Sequence, residues 1–418
     1  MVQSGPVTTG EIRHPSDYEI GGIIPSEVVA PASPAATAEV VSSARERGLA
    51  VVPWGNGTAQ SGGALPTRYH VACLTSAMGS VIEYEPADLV ITVGAGMPIG
   101  QVQATLAAAG QFLALDGVDA RATVGGIVAT NRSGPSRLLY GSARDLVLGI
   151  TVALPNGDVV RSGGRVVKNV VGYDLNKLHV GGLGTLGVIC EVTFKVHPSP
   201  RAEASVIGWF SSAETANVVA LDLARSNLGL RAVDVTSDSD DASAEGVTTI
   251  SAWCSGWPDA VARQCREVAT IISAAGATTV HTMNGGDHDA ARARVEALRV
   301  RGARLKVTAL PSKLGQLQLE VARVTRVGDR PCATWVARAG IGIAHVGLSE
   351  LDQALLAEIR SCADAAGGTC VIEAGADNLK TPDLAWGTTR ADFRVMTRIR
   401  DEFDPNRTIN PGRYVGGL

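Results

Sequence analysis

Three clusters of glycine set the first limit on how this chain can fold. They are Gly55-Asn-Gly-Thr-Ala-Gln-Ser-Gly-Gly63, the segment Thr123 to Gly134, and Gly181-Gly-Leu-Gly-Thr-Leu-Gly187. Glycine is costly inside helices and strands, so it gathers where the chain turns or where backbone approaches something closely. The first cluster follows an apolar run, Leu49-Ala-Val-Val-Pro53, that reads as a strand. Successive N–H groups in such a loop form a nest for a nucleotide diphosphate, although the same loop also serves as a plain turn. The second cluster, a glycine loop by composition, sets paired glycines on an apolar helical face. That admits a flat ring or a phosphate against backbone, or simply tight helix packing.

The third cluster contains G-x-G-x-x-G at Gly182, Gly184 and Gly187. A dinucleotide fingerprint needs a strand before it, a helix after it and an acid about twenty residues on. Here a predicted helix precedes and the apolar run Val188 to Val196 follows as a strand, so a dinucleotide fold is rejected.

The rest of the composition narrows the class. A chain of 418 residues, 45% hydrophobic and 19% charged, can bury cores for two or three domains. Its formal charge of -4, with no long run of one sign, argues against nucleic acid as a partner. The seven cysteines form no C-x-x-C pair and no zinc or iron-sulfur spacing, so no metal site is expected and any iron-sulfur centre would belong to a partner. Scattered in apolar runs, they read as reduced thiols, and with no secretory h-region in sight the expected location is cytoplasmic. No apolar window reaches membrane-spanning length, so any membrane contact is expected to be peripheral, at the inner membrane and through partners.

Along the chain, Pro34 to Arg47 reads as an amphipathic helix, and short strands are expected at Val71 to Leu74, Ser80 to Tyr84 and Leu89 to Val93. Leu146 to Leu154 and Val159 to Arg161 flank Asn156-Gly157 as a hairpin. After His197-Pro-Ser-Pro200 the pattern becomes a βαββαβ set followed by a second one like it, which predicts an open antiparallel sheet backed by helices. The fold class is therefore α+β, with a glycine-rich first domain over residues 1–198, a cap over 199–375 and a C-terminal segment, 376–418, returning to the first domain.

The assignment to FAD comes from a resemblance. The run Gly163-Gly-Arg-Val-Val-Lys-Asn-Val-Val-Gly-Tyr-Asp-Leu175, followed by Val180-Gly-Gly-Leu-Gly-Thr-Leu-Gly-Val-Ile-Cys-Glu191, resembles the FAD-linked oxidases of the vanillyl-alcohol-oxidase type. Glu85-Pro-Ala-Asp-Leu-Val-Ile-Thr92, Gly134-Pro-Ser-Arg137, Gly141-Ser-Ala-Arg-Asp-Leu-Val-Leu-Gly149 and Asn410-Pro-Gly-Arg413 are most similar to the FAD-binding subunits of bacterial glycolate oxidase. That resemblance implies a two-subdomain FAD-binding domain. Pro53, Trp54, Gly55, Asn56, Gly57, Thr58, Gln60 and Ser61 would hold the diphosphate. Val124, Gly125, Gly126, Ala129, Thr130, Asn131 and Gly134 would help enclose it and the ribityl chain, and Gly187 and Ile189 would meet the adenosine. Tyr140, Gly141 and Asn410 complete the expected cofactor set. Since both loops lack the His or Cys that tethers flavin in many relatives, the FAD is expected to be non-covalent.

The activity that follows is FAD-dependent oxidation of a small 2-hydroxy acid, such as glycolate or D-lactate, by one subunit of a complex. Its partners would be a second flavoprotein and iron-sulfur subunits. Such chemistry needs a cation for the carboxylate and a base for the hydroxyl proton, for which Arg338 and His345 are the candidates. Lys168 is the candidate for stabilising reduced flavin. The histidine cluster of the family's dehydrogenases is absent, and a lone strand histidine is more often structural. A non-catalytic electron-relay subunit and a stand-alone oxidase of an alcohol or sugar therefore remain as alternatives.

Overall fold

The computed structural model describes residues 14–165, 172–238, 247–326 and 333–418. The apolar run before the first glycine cluster forms the strand Val51–Trp54, which pairs in parallel with Val71–Leu74; the latter pairs in parallel with Glu27–Val29. Val51, Val52, Val71, Ala72 and Cys73 are buried because both faces of this small sheet are covered. The helix Pro34–Glu46 packs beside it, with proline at its first position and Ser33 Oγ accepting from Ala36 N at 3.1 Å.

A second sheet of five strands is wholly antiparallel, in the order Val81–Glu85, Val90–Gly94, Val188–Lys195, Val147–Ala153, Val159–Gly163. The expected hairpin closes with Gly157 at φ 92. The segment read as a second glycine loop is instead largely the helix Val124–Thr130, N-capped by Thr123 and ended by Asn131 at φ 48. Gly125 serves close packing, since a Cβ there would lie 2.9 Å from that of Ala95.

The cap is one eight-stranded antiparallel sheet with the order Thr279–Asn284, Ala202–Phe210, Thr248–Gly256, Ala232–Ser237, Thr334–Arg338, Ile343–Leu348, Ala303–Thr308, Thr369–Ala374. Each βαββαβ set contributes four adjacent strands, and the two sets meet through Ala232–Ser237 and Thr334–Arg338. The four-strand orders mirror each other about that junction, so the sheet is a structural duplication. Helices Ala213–Arg225, Pro258–Ala274, Leu314–Thr325 and Gln353–Ala365 bury one face with Leu305, Val307, Trp335, Ala337, Ala344, Val346 and Ile372.

Because side chains alternate along a strand, the other face carries Arg304, Lys306, Arg338, His345 and Glu373. A further helix, Gly286–Arg299, lies against this face, its Val295 and Leu298 packing on Val336. The chain then returns: Ile409 forms a parallel bridge to Val51, Val51 N donates to Thr408 O at 2.7 Å, and Asn410 N donates to Val51 O at 2.8 Å.

Candidate functional site

The loop after Val51–Trp54 forms one wall of a cleft. Pro53, Trp54, Gly55, Asn56, Gly57, Thr58 and Gln60 line it, facing Gly125, Gly126, Ala129 and Thr130 of the helix Val124–Thr130, with Ile189 and Asn410 closing it. The amides of Gly55, Asn56, Gly57, Thr58 and Ala59 donate to no acceptor among the described residues. The loop is held by side chains instead: Gln60 Nε2 donates to Pro53 O at 3.1 Å, Asn56 Nδ2 to Arg121 O at 2.8 Å, and Arg132 Nη1 to Thr58 O at 3.1 Å. Arg413 clamps it from the returning tail, donating from Nη2 to Gln60 O at 2.7 Å and Gly62 O at 2.8 Å. Burial pushes the Arg413 guanidinium down to about 10, which still leaves it charged at neutral pH.

The cleft opens into a second cavity of about 390 Å³, and Thr58, Ala59, Gly62, Thr130 and Leu183 border both. Its far wall is the polar face of the cap sheet. His345 and Glu373 meet there, with 2.9 Å between Nδ1 and Oε2. Burial pushes the His345 imidazole below its usual range, although Glu373 pulls the other way. Burial alone would raise the Glu373 carboxyl, but His345, Lys306 and Arg299 together hold it well below the usual range. An ionised carboxylate only accepts, so Nδ1–H of a neutral imidazole donates to Glu373 and Nε2 is left as an acceptor.

Arg338 also lines this cavity, but both of its terminal nitrogens are taken: Nη1 by Asp234 Oδ1 at 2.6 Å and Nη2 by Glu296 Oε1 at 2.7 Å. Burial opposes its charge, yet the two carboxylates overcome that and hold it protonated. Glu296 in turn is held down to about 2, because Arg338 and Arg299 outweigh the effect of burial. Arg292 Nη1 donates to the other oxygen of Asp234 at 2.8 Å. Arg338 is thus the centre of a buried ionic network rather than a free cation. Of the cations that line this cavity, Lys306, Arg304, Arg137 and Arg132 have no ion pair among the described residues.

Comparison with known proteins identifies the two halves of this arrangement. An FAD binding domain matches residues 25–163, and the C-terminal domain of FAD linked oxidases matches residues 307–414. The chain belongs to the FAD-linked oxidases. The glycolate oxidase subunit GlcD of Bacillus subtilis (strain 168) is 27% identical over 424 residues, covering 93% of this chain and 89% of that protein. Glycolate oxidase subunit GlcE of Escherichia coli (strain K12) is 44% identical over 128 residues, which is 30% of this chain and 37% of that protein. Among solved structures, p-cresol methylhydroxylase with substrate bound has the same fold, with a TM-score of 0.72 at 17% identity over 92% of this chain and 88% of that one.

The residues of this FAD-linked oxidase fit the cofactor. The unused amides of Gly55 to Ala59 suit a diphosphate, and Asn410 Oδ1 is a buried acceptor without a partner at the cleft wall. Close backbone approach is enforced by Gly55, where a Cβ would lie 2.1 Å from Thr123 Oγ1.

Of the other residues singled out in the sequence, Asn131 and Gly134 border the second cavity rather than the cleft. Ser61 is exposed and lines neither. Val124 is wholly buried, and Gly187 sits against Val152 of the second sheet. Tyr140 packs edge-on to Phe112, with 5.4 Å between ring centroids, and Gly141 turns at φ 85 beside Asp145. Lys168 lies outside the described residues. Sequence reasoning missed Thr75, Thr123, Leu183 and Gly184 in the cleft, Arg299 in the cavity and Glu296 behind it. Thr123, directly before the paired glycines, carried an N-cap signal.

Proposed function

We propose that this chain oxidises a small 2-hydroxy acid to the 2-oxo acid with FAD held non-covalently, as one component of an assembly that takes the electrons onward. The observation that carries this reading is the His345–Glu373 pair on the cap face, set among cations and opening onto the cofactor cleft. Bound FAD supplies the two-electron oxidant. Lys306 holds the substrate carboxylate beside His345, its cross-strand neighbour. His345 Nε2 accepts the hydroxyl proton, while the C2 hydrogen leaves with its electron pair to the bound oxidant and the C–O bond becomes C=O. Glu373 orients the ring and stabilises the imidazolium as it forms. Arg338 acts through others: it fixes helix Gly286–Arg299 and strand Ala232–Ser237 against the sheet.

Non-covalent attachment is supported by the cleft lining, which contains no His and no Cys. The relatives named as glycolate oxidase subunits support both the substrate class and an assembly. Among the described residues no group of His, Cys, Asp and Glu could hold a metal and no helix is long and apolar enough to cross a membrane. We place any iron-sulfur centre, and any contact with the inner membrane, in partner subunits, including a second flavoprotein, and the chain itself in the cytoplasm.

The test is anaerobic mixing of the flavin-loaded protein with a panel of 2-hydroxy acids. Loss of the oxidised flavin absorbance by the wild type, and its persistence in His345→Ala that still binds flavin, is the expected result. Equal bleaching by that variant removes His345 as the base, and release of no flavin on acid precipitation removes non-covalent attachment.

A further inference from the structure

The chemistry assigned to His345 uses one anionic group of the substrate, but the cavity carries more positive charge than one such group answers. Arg304 and Lys306 project from the same face of the strand Ala303–Thr308, two residues and about 7 Å apart along it. Arg137, at the start of the short helix Arg137–Tyr140, borders the same cavity from the FAD-binding side. None of the three has an ion pair among the described residues. Arg304 donates one bond, from Nη1 to Val300 O at 3.2 Å, while its Nε is buried without a partner.

Three other cations of the cavity are answered by carboxylates. Arg338 and Arg299 are bound by Asp234 and Glu296, and Arg121 by Asp119. Arg132 has no ion pair either, but it donates to Thr58 O in the loop that would hold the diphosphate, so it would face the cofactor's charge rather than the substrate's. Glu373 is the carboxylate that remains, so three cations face one anion. Charge that stays unanswered in a half-buried cavity is unfavourable, and a ligand that supplies the missing counter-charge binds by relieving it.

We propose that the substrate of this site is a 2-hydroxy acid with a second carboxylate, its C1 carboxylate held by Lys306 and Arg137 beside His345 and its distal carboxylate by Arg304. This rests on the 2-hydroxy-acid reading given above and narrows it. Two substrate carboxylates together with Glu373 balance the three cations, whereas glycolate or lactate leaves one unanswered. The reaction is unchanged in its balance: hydroxyl proton to His345, hydride equivalent to bound FAD, 2-oxo diacid released.

Two measurements on the flavin-loaded full chain test this. In the first, succinate and glutarate, which have no hydroxyl to oxidise, are titrated against propionate and butyrate while the flavin absorbance and thermal midpoint are followed. The diacids should perturb both at concentrations lower by about tenfold or more, as expected for one extra buried charge pair. Equal potency of diacids and monoacids overturns the inference whether or not any acid is turned over. In the second, malate and 2-hydroxyglutarate, each as both enantiomers, are compared with lactate and 2-hydroxybutyrate in anaerobic flavin bleaching. A kcat/KM ratio of about tenfold or more in favour of a diacid is expected, and Arg304→Gln should bring that ratio toward one while Arg304→Lys restores part of it. Bleaching by monoacids at least as fast as by diacids overturns the second carboxylate and leaves the 2-hydroxy-acid reading standing. Bleaching by no acid, despite tight diacid binding, overturns that reading and this one together.

Discussion

Replacing Arg338 separates a structural network from a substrate contact. In Arg338→Met the side-chain volume is roughly kept, but Asp234 and Glu296 each lose a guanidinium hydrogen bond of 2.6 or 2.7 Å in a buried setting. Glu296 is held at about 2 against its ordinary 4.5, a difference worth about 3 kcal/mol at 1.36 kcal/mol per pKa unit. Arg299 supplies part of that hold and survives the change, as Arg292 does for Asp234. The loss is therefore below the full cost of orphaning a buried ion, at about 2–3 kcal/mol. For a domain the size of the cap, that lowers the thermal midpoint by roughly 4–12 °C, read by calorimetry or tryptophan fluorescence at pH 7. The pH dependence has a defined sign. A carboxyl depressed in the folded state contributes fully above its unfolded pKa and loses that contribution as pH falls through its folded value. The gap between wild type and variant should hence close between about pH 5 and pH 2. An unchanged midpoint together with a raised KM would refute the structural role and return Arg338 to the substrate.

His345→Ala should lower the rate of flavin reduction by about 10²–10⁴-fold while the flavin stays bound, as measured by stopped-flow absorbance. Because burial holds His345 below its usual range, the acid limb of kcat/KM should rise with pH at a midpoint below about 6.5. Glu373→Gln removes the charge that favours the imidazolium, so the limb should move lower still; a limb that moves up contradicts the pairing. Gly55→Ala drives a methyl group into Thr123 Oγ1 and should cut the flavin content of the purified protein, an effect that Gly55→Ala with Thr123→Ala, which removes that oxygen, would partly reverse. Deleting residues 405–418 removes Asn410 and the Arg413 clamp, and full flavin occupancy in that truncation would count against their role in shaping the cleft.

Much of the α+β pattern could be read from the residues because local and tertiary demands agree. The strand Val71–Leu74 forms over the predicted residues and the helix Pro34–Glu46 ends one residue short of them, since their apolar periodicity matches the faces they bury. The helix Gly286–Arg299 escaped because its buried face includes His288 and Arg292 beside Val295 and Leu298. A guanidinium answered by Asp234 packs like core, but hydrophobic periodicity cannot register it. The occupation of Arg338 was hidden for the same reason, as its partners lie 104 and 42 residues away in the chain. Glycine spacing marked the loop at Gly55 but could not distinguish glycines that face a cleft from one such as Gly187, which faces a neighbouring strand.

The route of the last strand-like segment also orders events in time. Residues 408–413 complete the first sheet and pin the loop at Gln60 and Gly62, yet in the chain they come after the entire cap. During synthesis the loop therefore leaves the ribosome long before the groups that shape it. Flavin capture should in this way be deferred until the cap has been made, because a nascent chain stalled within the cap would carry the loop but not the clamp.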